Sequence, residues 1–385
     1  MSESYRIGVV FSDSGPYGVV SGSMRNGALL AFAEINRQKT FGFELEPVVM
    51  DPAGDLQRYS VLSAALVDQG IRHVVGCYTS SSRKEVIPLF EKHDALLWYP
   101  SHYEGFESST NVIYTGAAPN QHIIPLIEYL VGNIGKRAYC VGSNYIWSWE
   151  NNRILREGLS AVGGQVIAER YFAVGEMDHT KVIQAILEAR PDFVFNTLIG
   201  TSAYQFFREF RAACAACGIE QTREIPIASC SLSEPELAEI GHGAMDGHIS
   251  SSVYFSTLDT EKNREFVLAY SEMFSSGPSV SADAEASYIA VKLLAASIAA
   301  AGSDDVDGVR HAAALQRISA PQGSVWIDGQ TNHAYLTPRI GRSNSAGQFE
   351  VVFEAREPVR PDPYLIQTTP RFAVQSRWPK LRVVP

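Results

Sequence analysis

The chain alternates between short apolar runs, typical of β-strands, and segments whose apolar residues recur at helical spacing. "RIGVVFS" precedes a helical pattern at 24–37, "FELEPVVMD" precedes another at 56–69, and "HVVGCY" follows. Strands joined by such crossover helices run parallel, and the helices cover both faces of the sheet. The alternation therefore predicts an α/β fold built on a mostly parallel sheet.

A second α/β series begins after "TGAAPNQ" with "AYCVGS" and continues through "DFVFNTLIG", "IPIASCSLS" and "HISSSVYFS". The 385 residues also exceed the usual size of one domain, roughly 100–200 residues. We predict two α/β lobes with a ligand cleft between them. Residues 1–118 plus 253–328 are assigned to the N-terminal lobe, and residues 119–252 plus 329–385 to the C-terminal lobe and an extended, proline-rich tail.

Composition and charge exclude some classes of partner. The formal net charge is −10 and the basic residues are scattered, which argues against direct binding of nucleic acid. No apolar stretch approaches the roughly 18–20 residues that span a bilayer, so we expect no membrane segment. The start, "MSESYRIGVVFSDSG", lacks the pattern of a secretory leader, and a cytoplasmic location is expected. The five cysteines are expected to be free thiols.

Polar and aromatic residues gather where the predicted strands end. Serines 80–82 follow "HVVGCY" and precede a helix, while Tyr99 and Ser101 end and follow the next apolar run. Tyr145 and Trp147 come after the first strand of the second series. Ligands of open α/β sheets bind at the carboxyl ends of the strands, next to helix N-termini. The sequence thus predicts a ligand site to which both lobes contribute.

Several of these residues also have purely structural interpretations. One of the serines 80–82 could serve only as the helix N-cap. Tyr103 and Phe106 are assigned to core or lobe packing, and Arg83 and Lys84 are expected to point to solvent.

No catalytic constellation is found in the sequence. The motifs GxSxG, HExxH and GxxxxGK[ST] are absent, and the histidines do not have metal-ligand spacing. His102 stands beside the aromatic strand end and is interpreted as a polar rim residue rather than a general base. Hydroxyls and aromatics without an acid–base pair favour a binding protein over an enzyme, with no metal.

Nine segments, in order, resemble the type I periplasmic-binding-protein-like family. The resemblance is to the branch that holds the amide sensor, a negative regulator of aliphatic amidase operons, and the urea and short-chain amide binding proteins of ABC transporters. The segments are "FSDSGPYG", "DPAGD", "VGCYTSSSRK", "LLWYPSHYEGFE", "YTGAAPNQ", "VGSNYI", "PIASCSLSE", "PQGSVWIDGQTNHA" and "EPVRPDPY".

The resemblance implies a pocket for a small amide, no metal or organic cofactor, and hinge crossings near 116–121, 250–254 and 325–333. The chain differs from the amide sensor at several positions. The sensor has Pro where this chain has His102 and Tyr where it has Trp147, and it has a Pro-Arg pair in place of residues 148–149. The candidate ligand-binding residues are Tyr78, Ser80, Tyr99, Ser101, His102, Tyr145, Trp147 and Ser231.

The leading functional prediction is a cytoplasmic ligand sensor that restrains or releases a protein partner when its cleft closes. By resemblance that partner is an RNA-binding antitermination regulator, and a homodimer is possible. The alternative is the substrate-binding protein of a urea or short-chain amide ABC transporter. An enzyme acting on amides has the least support, because no nucleophile with a base can be named.

Overall fold

The computed structural model describes residues 3–368, which form two sheets flanked by helices. The strands are β1 (Glu3–Val10), β2 (Phe43–Met50), β3 (His73–Gly76), β4 (Leu96–Tyr99), β5 (Val112–Tyr114), β6 (Arg137–Ser143), β7 (Gln165–Phe172), β8 (Phe193–Thr197), β9 (Ile227–Ser229), β10 (Ile249–Ser252), β11 (Arg317–Ala320), β12 (Gly323–Asp328), β13 (His333–Tyr335), β14 (Arg339–Ser343) and β15 (Phe349–Glu354). The helices are α1 (Gly18–Gln38), α2 (Leu56–Asp68), α3 (Ser80–His93), α4 (Pro119–Asn133), α5 (Ile146–Ala161), α6 (Thr180–Ala189), α7 (Thr201–Ala216), α8 (Gln221–Glu224), α9 (Glu234–Ile240), α10 (Glu261–Met273), α11 (Ala282–Ala301) and α12 (Val306–Ala313).

Each sheet is parallel at its centre and carries antiparallel strands at one edge. The first has the order β11-β12-β13-β5-β4-β3-β1-β2, and its antiparallel pairs are β11–β12 and β12–β13. The second has the order β15-β14-β10-β9-β8-β6-β7, with β14 antiparallel to both β10 and β15. This arrangement confirms the predicted two-lobed α/β class and defines the first and second lobes.

The chain passes between the sheets three times. The first passage follows β5 and the second follows β10, close to the predicted crossings. The third lies between Tyr335 and Arg339, later than the predicted crossing at 325–333 and the predicted boundary after residue 328. The cause is a hairpin: the Asp328 carboxylate accepts from the backbone N–H groups of Gln330 and Thr331, which returns the chain to the first sheet as β13.

The core of the first lobe is closed by α1 and α11. These helices approach closely at Gly27, where an added Cβ would lie 2.1 Å from the carbonyl oxygen of Ala284. By length and composition α11 could cross a membrane, contrary to the expectation from sequence, but 67% of its apolar window is buried inside the protein. We therefore interpret α11 as a core helix of the lobe.

Residues 355–368, which follow β15, contain no helix or strand, as their prolines predict. It is held at the junction of the lobes, where the Asn120 side chain donates to the carbonyl oxygen of Arg360 at 2.8 Å. The backbone N–H of Phe106 donates to the carbonyl oxygen of Pro363 at 2.9 Å. The rest of the predicted tail, residues 369–385, lies outside the described residues.

Candidate functional site

A small cavity of about 10 Å³ lies between the lobes, at the carboxyl ends of the parallel strands. This is near the smallest volume, roughly 10–15 Å³, that holds one water molecule. Seven of the eight predicted site residues lie on its wall, together with Ile199, which the sequence analysis did not select. The wall consists of Tyr78, Ser80, Ser101 and His102 from the first lobe and Tyr145, Trp147, Ile199 and Ser231 from the second.

Helix α3 begins directly beneath the cavity. Its N-cap is Thr79, whose hydroxyl oxygen accepts from the backbone N–H of Ser82 at 3.1 Å. The suggestion that a serine of the 80–82 cluster is the cap is therefore wrong. Ser80 is free for another role, and its hydroxyl donates to the buried carboxylate of Glu104.

Arg83 does not point to solvent, as the sequence analysis expected, but is fully buried below Ser80. Its guanidinium lies 4.7 Å from the ring centroids of both Tyr99 and Tyr103. It forms ion pairs with Glu104 at 2.9 Å and with Glu107 at 2.7 Å. Burial opposes its charge, but the two carboxylates raise the pKa of Arg83 well above its usual value.

The ion-pair network also includes Lys84, which is half-exposed and lies 2.5 Å from a carboxylate oxygen of Glu107. Burial alone would raise the pKa of Glu107, yet Arg83 and Lys84 hold it at about 2. Two cations and two carboxylates, the second being Glu104, thus balance each other. The charges beneath the cavity are compensated before a ligand arrives.

Tyr99 lies behind the cavity wall rather than on it. Its hydroxyl donates to the backbone carbonyl of Tyr78 at 2.7 Å, and burial raises its pKa, so the phenol stays neutral. Tyr78 follows Cys77, whose φ of 66° is in the left-handed region. Tyr99 therefore holds the loop that presents Tyr78 to the cavity.

The second lobe contributes an indole with an unused donor. Trp147 lies in the first turn of α5 and is 2% exposed, and its Nε1 has no hydrogen-bond partner among residues 3–368. The Trp147 ring stacks on the Tyr145 ring at an interplanar angle of 26°, with the ring centroids 6.3 Å apart. Leaving a buried N–H unpaired is costly, so this group suits an acceptor atom in the cavity.

His102 reaches from the first lobe toward Trp147, and their ring centroids lie 5.4 Å apart. The Nδ1 of His102 lies 3.4 Å from a carboxylate oxygen of Asp283, which can only accept. Sequence reasoning missed both Asp283 and Glu104. Asp283 is 181 positions from His102, and Glu104 is 24 positions from Ser80, so no local spacing indicates either contact.

Direct contacts between the lobes show that the cleft is closed. The backbone N–H of Thr201 donates to the carbonyl oxygen of Pro16 at 3.0 Å. The guanidinium of Arg153 lies 4.9 Å from the ring centroid of Phe106, which supports the assignment of Phe106 to lobe packing. Opening the cleft would break these contacts and expose the cavity wall.

Two α/β lobes joined by three crossings and closed over a buried cavity are the architecture of two-lobed binding proteins. The sequence matches the family described as "Periplasmic binding protein domain" over residues 5–370. The chain belongs to that family.

Solved structures share the fold over nearly the whole chain. A solute binding protein of an ABC transporter from Rhodopseudomonas palustris HaA2, in complex with p-hydroxybenzoic acid, has a TM-score of 0.84 at 18% identity and covers 95% of this chain and 100% of its own. An amino acid ABC transporter substrate-binding protein from Pseudomonas fluorescens Pf-5 has a TM-score of 0.76 at 21% identity and covers 94% of this chain and 97% of its own. These structures show the shared fold.

Among curated proteins, a limonene hydroxylase from Geobacillus stearothermophilus is 26% identical over 122 residues, which are 32% of this chain. The match spans 22% of that protein's length. So short a match carries no activity over to this chain.

Proposed function

We propose that the protein binds a small, neutral amide or urea between its lobes and closes over it. The observation that carries this proposal is the chemistry of the cavity wall, which offers hydroxyls and an indole N–H but contains no Lys, Arg, Asp or Glu among the described residues. Such a wall suits a polar, uncharged ligand.

The hydrogen-bond directions on the two sides of the cavity match an amide. Because the Ser80 hydroxyl donates to Glu104, its oxygen is left to accept from a ligand N–H. Trp147 offers only a donor, which suits a ligand carbonyl. An amide or urea carries both groups on neighbouring atoms, so one ligand would join the first lobe to the second.

Carboxylate ligands fit this wall less well. The structural neighbours from R. palustris were solved with hydroxybenzoates. A desolvated carboxylate is held most strongly by an available cation, whereas Arg83 is already bound by Glu104 and Glu107. The cavity of about 10 Å³ also favours ligands of only a few heavy atoms, for which a small opening of the walls suffices.

Two biological roles are consistent with such a ligand. The shared fold with ABC transporter solute-binding proteins favours delivery of the ligand to a permease. The nine segments that resemble the amide-sensor branch favour the second role, a cytoplasmic sensor whose closure changes its affinity for a regulator. In either role, ligand and partner must change each other's affinity by the same factor.

A ligand panel tests the binding proposal. Acetamide, propionamide and urea should each raise the Tm, and native mass spectrometry should show one molecule per chain. Benzoate and leucine should have no effect. Stabilisation by benzoate or leucine alone would overturn the neutral-ligand assignment.

Capture from the native host distinguishes the two roles. The tagged protein is recovered with and without acetamide, alongside cell fractionation. Capture of permease subunits would support the transport role, whereas ligand-dependent capture of a soluble RNA-binding regulator from the cytoplasm would support the sensor.

A further inference from the structure

A second cavity, of about 20 Å³, adjoins the candidate ligand site and shares His102 as a wall. It lies at the hinge, because its lining includes Gly116 and Ala117 beside the first crossing and Val253 beside the second. We call it the hinge cavity. An occupant would contact residues of both lobes beside two of the crossings.

The hinge cavity contains a buried acceptor with no partner. His122 lines it, and the Nε2 of His122 lies 3.0 Å from the carbonyl oxygen of Tyr103. A carbonyl can only accept, so Nε2 carries the hydrogen and Nδ1 is left as a bare acceptor. Burial lowers the pKa of His122 to about 3, which keeps the ring neutral. Nδ1 has no hydrogen-bond partner in the described part of the chain.

Other polar groups of the hinge cavity also accept. The hydroxyl of Ser251 donates to the backbone carbonyl of His122 at 2.7 Å, which leaves the hydroxyl oxygen as an acceptor. Within residues 3–368, the carboxylate of Asp283 makes one side-chain contact, to Nδ1 of His102 at 3.4 Å. An occupant that satisfies these groups must bring hydrogen-bond donors and be about the size of one water molecule.

We propose that the hinge cavity is a subsite for an amino group, whose N–H donors bind His122 Nδ1 and the Asp283 carboxylate. The amino group has two possible sources: a terminal amino group of a urea-type ligand that reaches past His102, or a separate ammonium ion. The first source rests on the proposed function, whereas the second is independent of it. In the closed protein, both lobes would then bind the amino group in the hinge cavity and the ligand carbonyl in the candidate ligand site.

Two ligands of equal size test the first source. Semicarbazide and N-methylurea differ only in an amino or methyl group on one nitrogen, and both are uncharged at neutral pH. Calorimetry on the full chain should show semicarbazide binding at least about tenfold more tightly, because the methyl group leaves the acceptors unpaired. The preference should fall to about equal affinity in Asp283→Asn and in His122→Phe. It should persist in the control Asp304→Asn, which changes a partly exposed aspartate beyond the other end of α11.

Thermal denaturation tests the second source. Ammonium chloride should raise the Tm by about 2 °C over sodium chloride at the same concentration, and the difference should vanish in Asp283→Asn but not in Asp304→Asn. A positive result in either arm identifies the source and supports the subsite. Equal binding of the two ureas together with equal Tm in the two salts overturns it. If no amide or urea binds at all, the proposed function fails, and the ammonium arm alone decides the subsite.

Discussion

The carbonyl oxygen of Pro16 in the first lobe accepts a 3.0 Å hydrogen bond from the backbone N–H of Thr201 in the second. The residue before Thr201 is Gly200, which has a φ of 61° and lies so close that an added Cβ would be 1.9 Å from the same oxygen. The two lobes therefore meet backbone to backbone, at a place where no side chain fits. Separating the lobes at this place would break the contact, so a change here should alter closure of the cleft.

Gly200→Ala should oppose closure. The added methyl group clashes with Pro16, so ligand affinity should fall by at least about tenfold, since binding then requires a strained closed state. Small-angle scattering should show a larger radius of gyration. The matched control is Gly218→Ala, which has a similar φ of 68° but nothing within 4 Å of the added Cβ. Equal affinity of the two variants would contradict a role for this contact in closure.

Trp147→Phe should weaken amide binding by about tenfold or more, because it removes the one N–H that the second lobe's indole offers while keeping an aromatic wall. The Tm without ligand should change little, since that N–H has no protein partner to lose. Trp149→Phe is the control: its indole is exposed and donates to Asn144 at 3.2 Å. Calorimetry with acetamide measures the ligand affinity of the two variants. Unchanged affinity in Trp147→Phe would show that the ligand carbonyl lies elsewhere.

Ser80→Ala should reduce affinity by about 1–3 kcal/mol, because a ligand N–H would lose its acceptor and Glu104 would lose a donor. The neighbouring Ser81, which does not line the cavity, supplies the control Ser81→Ala. The ligand series of acetamide and urea should be measured by calorimetry for both variants. A loss of similar size at both positions would indicate a general effect on α3 rather than a ligand contact.

Stability should fall as the pH rises from about 6.5 to 8. Burial raises the pKa of Glu236 to about 8 and that of Glu285 to about 7, both above the ordinary 4.5. The folded state therefore holds protons that the unfolded state releases, and the associated stability is complete below about pH 4.5 and lost as the pH rises through the folded pKa.

Glu236→Gln should reduce the loss of unfolding free energy between pH 6.5 and 8 by about 1–2 kcal/mol, because glutamine cannot ionise. Glu239→Gln, at an exposed position of the same helix, should leave the pH dependence unchanged. Urea denaturation at a series of pH values is the measurement. A parallel decline in both variants would mean that Glu236 is not the titrating group.

Below pH 6.5 the buried His122 and His248, whose pKa values burial lowers to about 3 and 4, act in the opposite direction.

The architecture and the position of the site could be predicted from the sequence. Strand and helix patterns are local, and a parallel sheet places all its carboxyl ends at one edge, so the residues that follow the strands must gather there. This is why Tyr78 and Ser101, which follow two strands of the first sheet, lie on one cavity wall, and Trp147 reaches the same cavity from the corresponding end of the second sheet. Their contact with a ligand remains a prediction.

The tertiary structure alone decided how the side chains around the site are paired. Arg83 follows polar serines on a helix, a position that indicates solvent, yet it is buried because Glu104 and Glu107 arrive from a loop more than 20 positions away. Tyr99 stands at a strand end, but its side chain points to the back of the wall, where its hydroxyl meets the Tyr78 carbonyl.

The same holds for the hinge. Asp283 comes from α11, far along the chain from His102, and β13 returns to the first sheet through a turn made by Asp328. Local periodicity determines which segments become strands and helices, because it depends on neighbours in the chain. Which buried charge meets which partner, and which polar atom is left without one, depends on the packing of distant segments and so appears only in the folded protein.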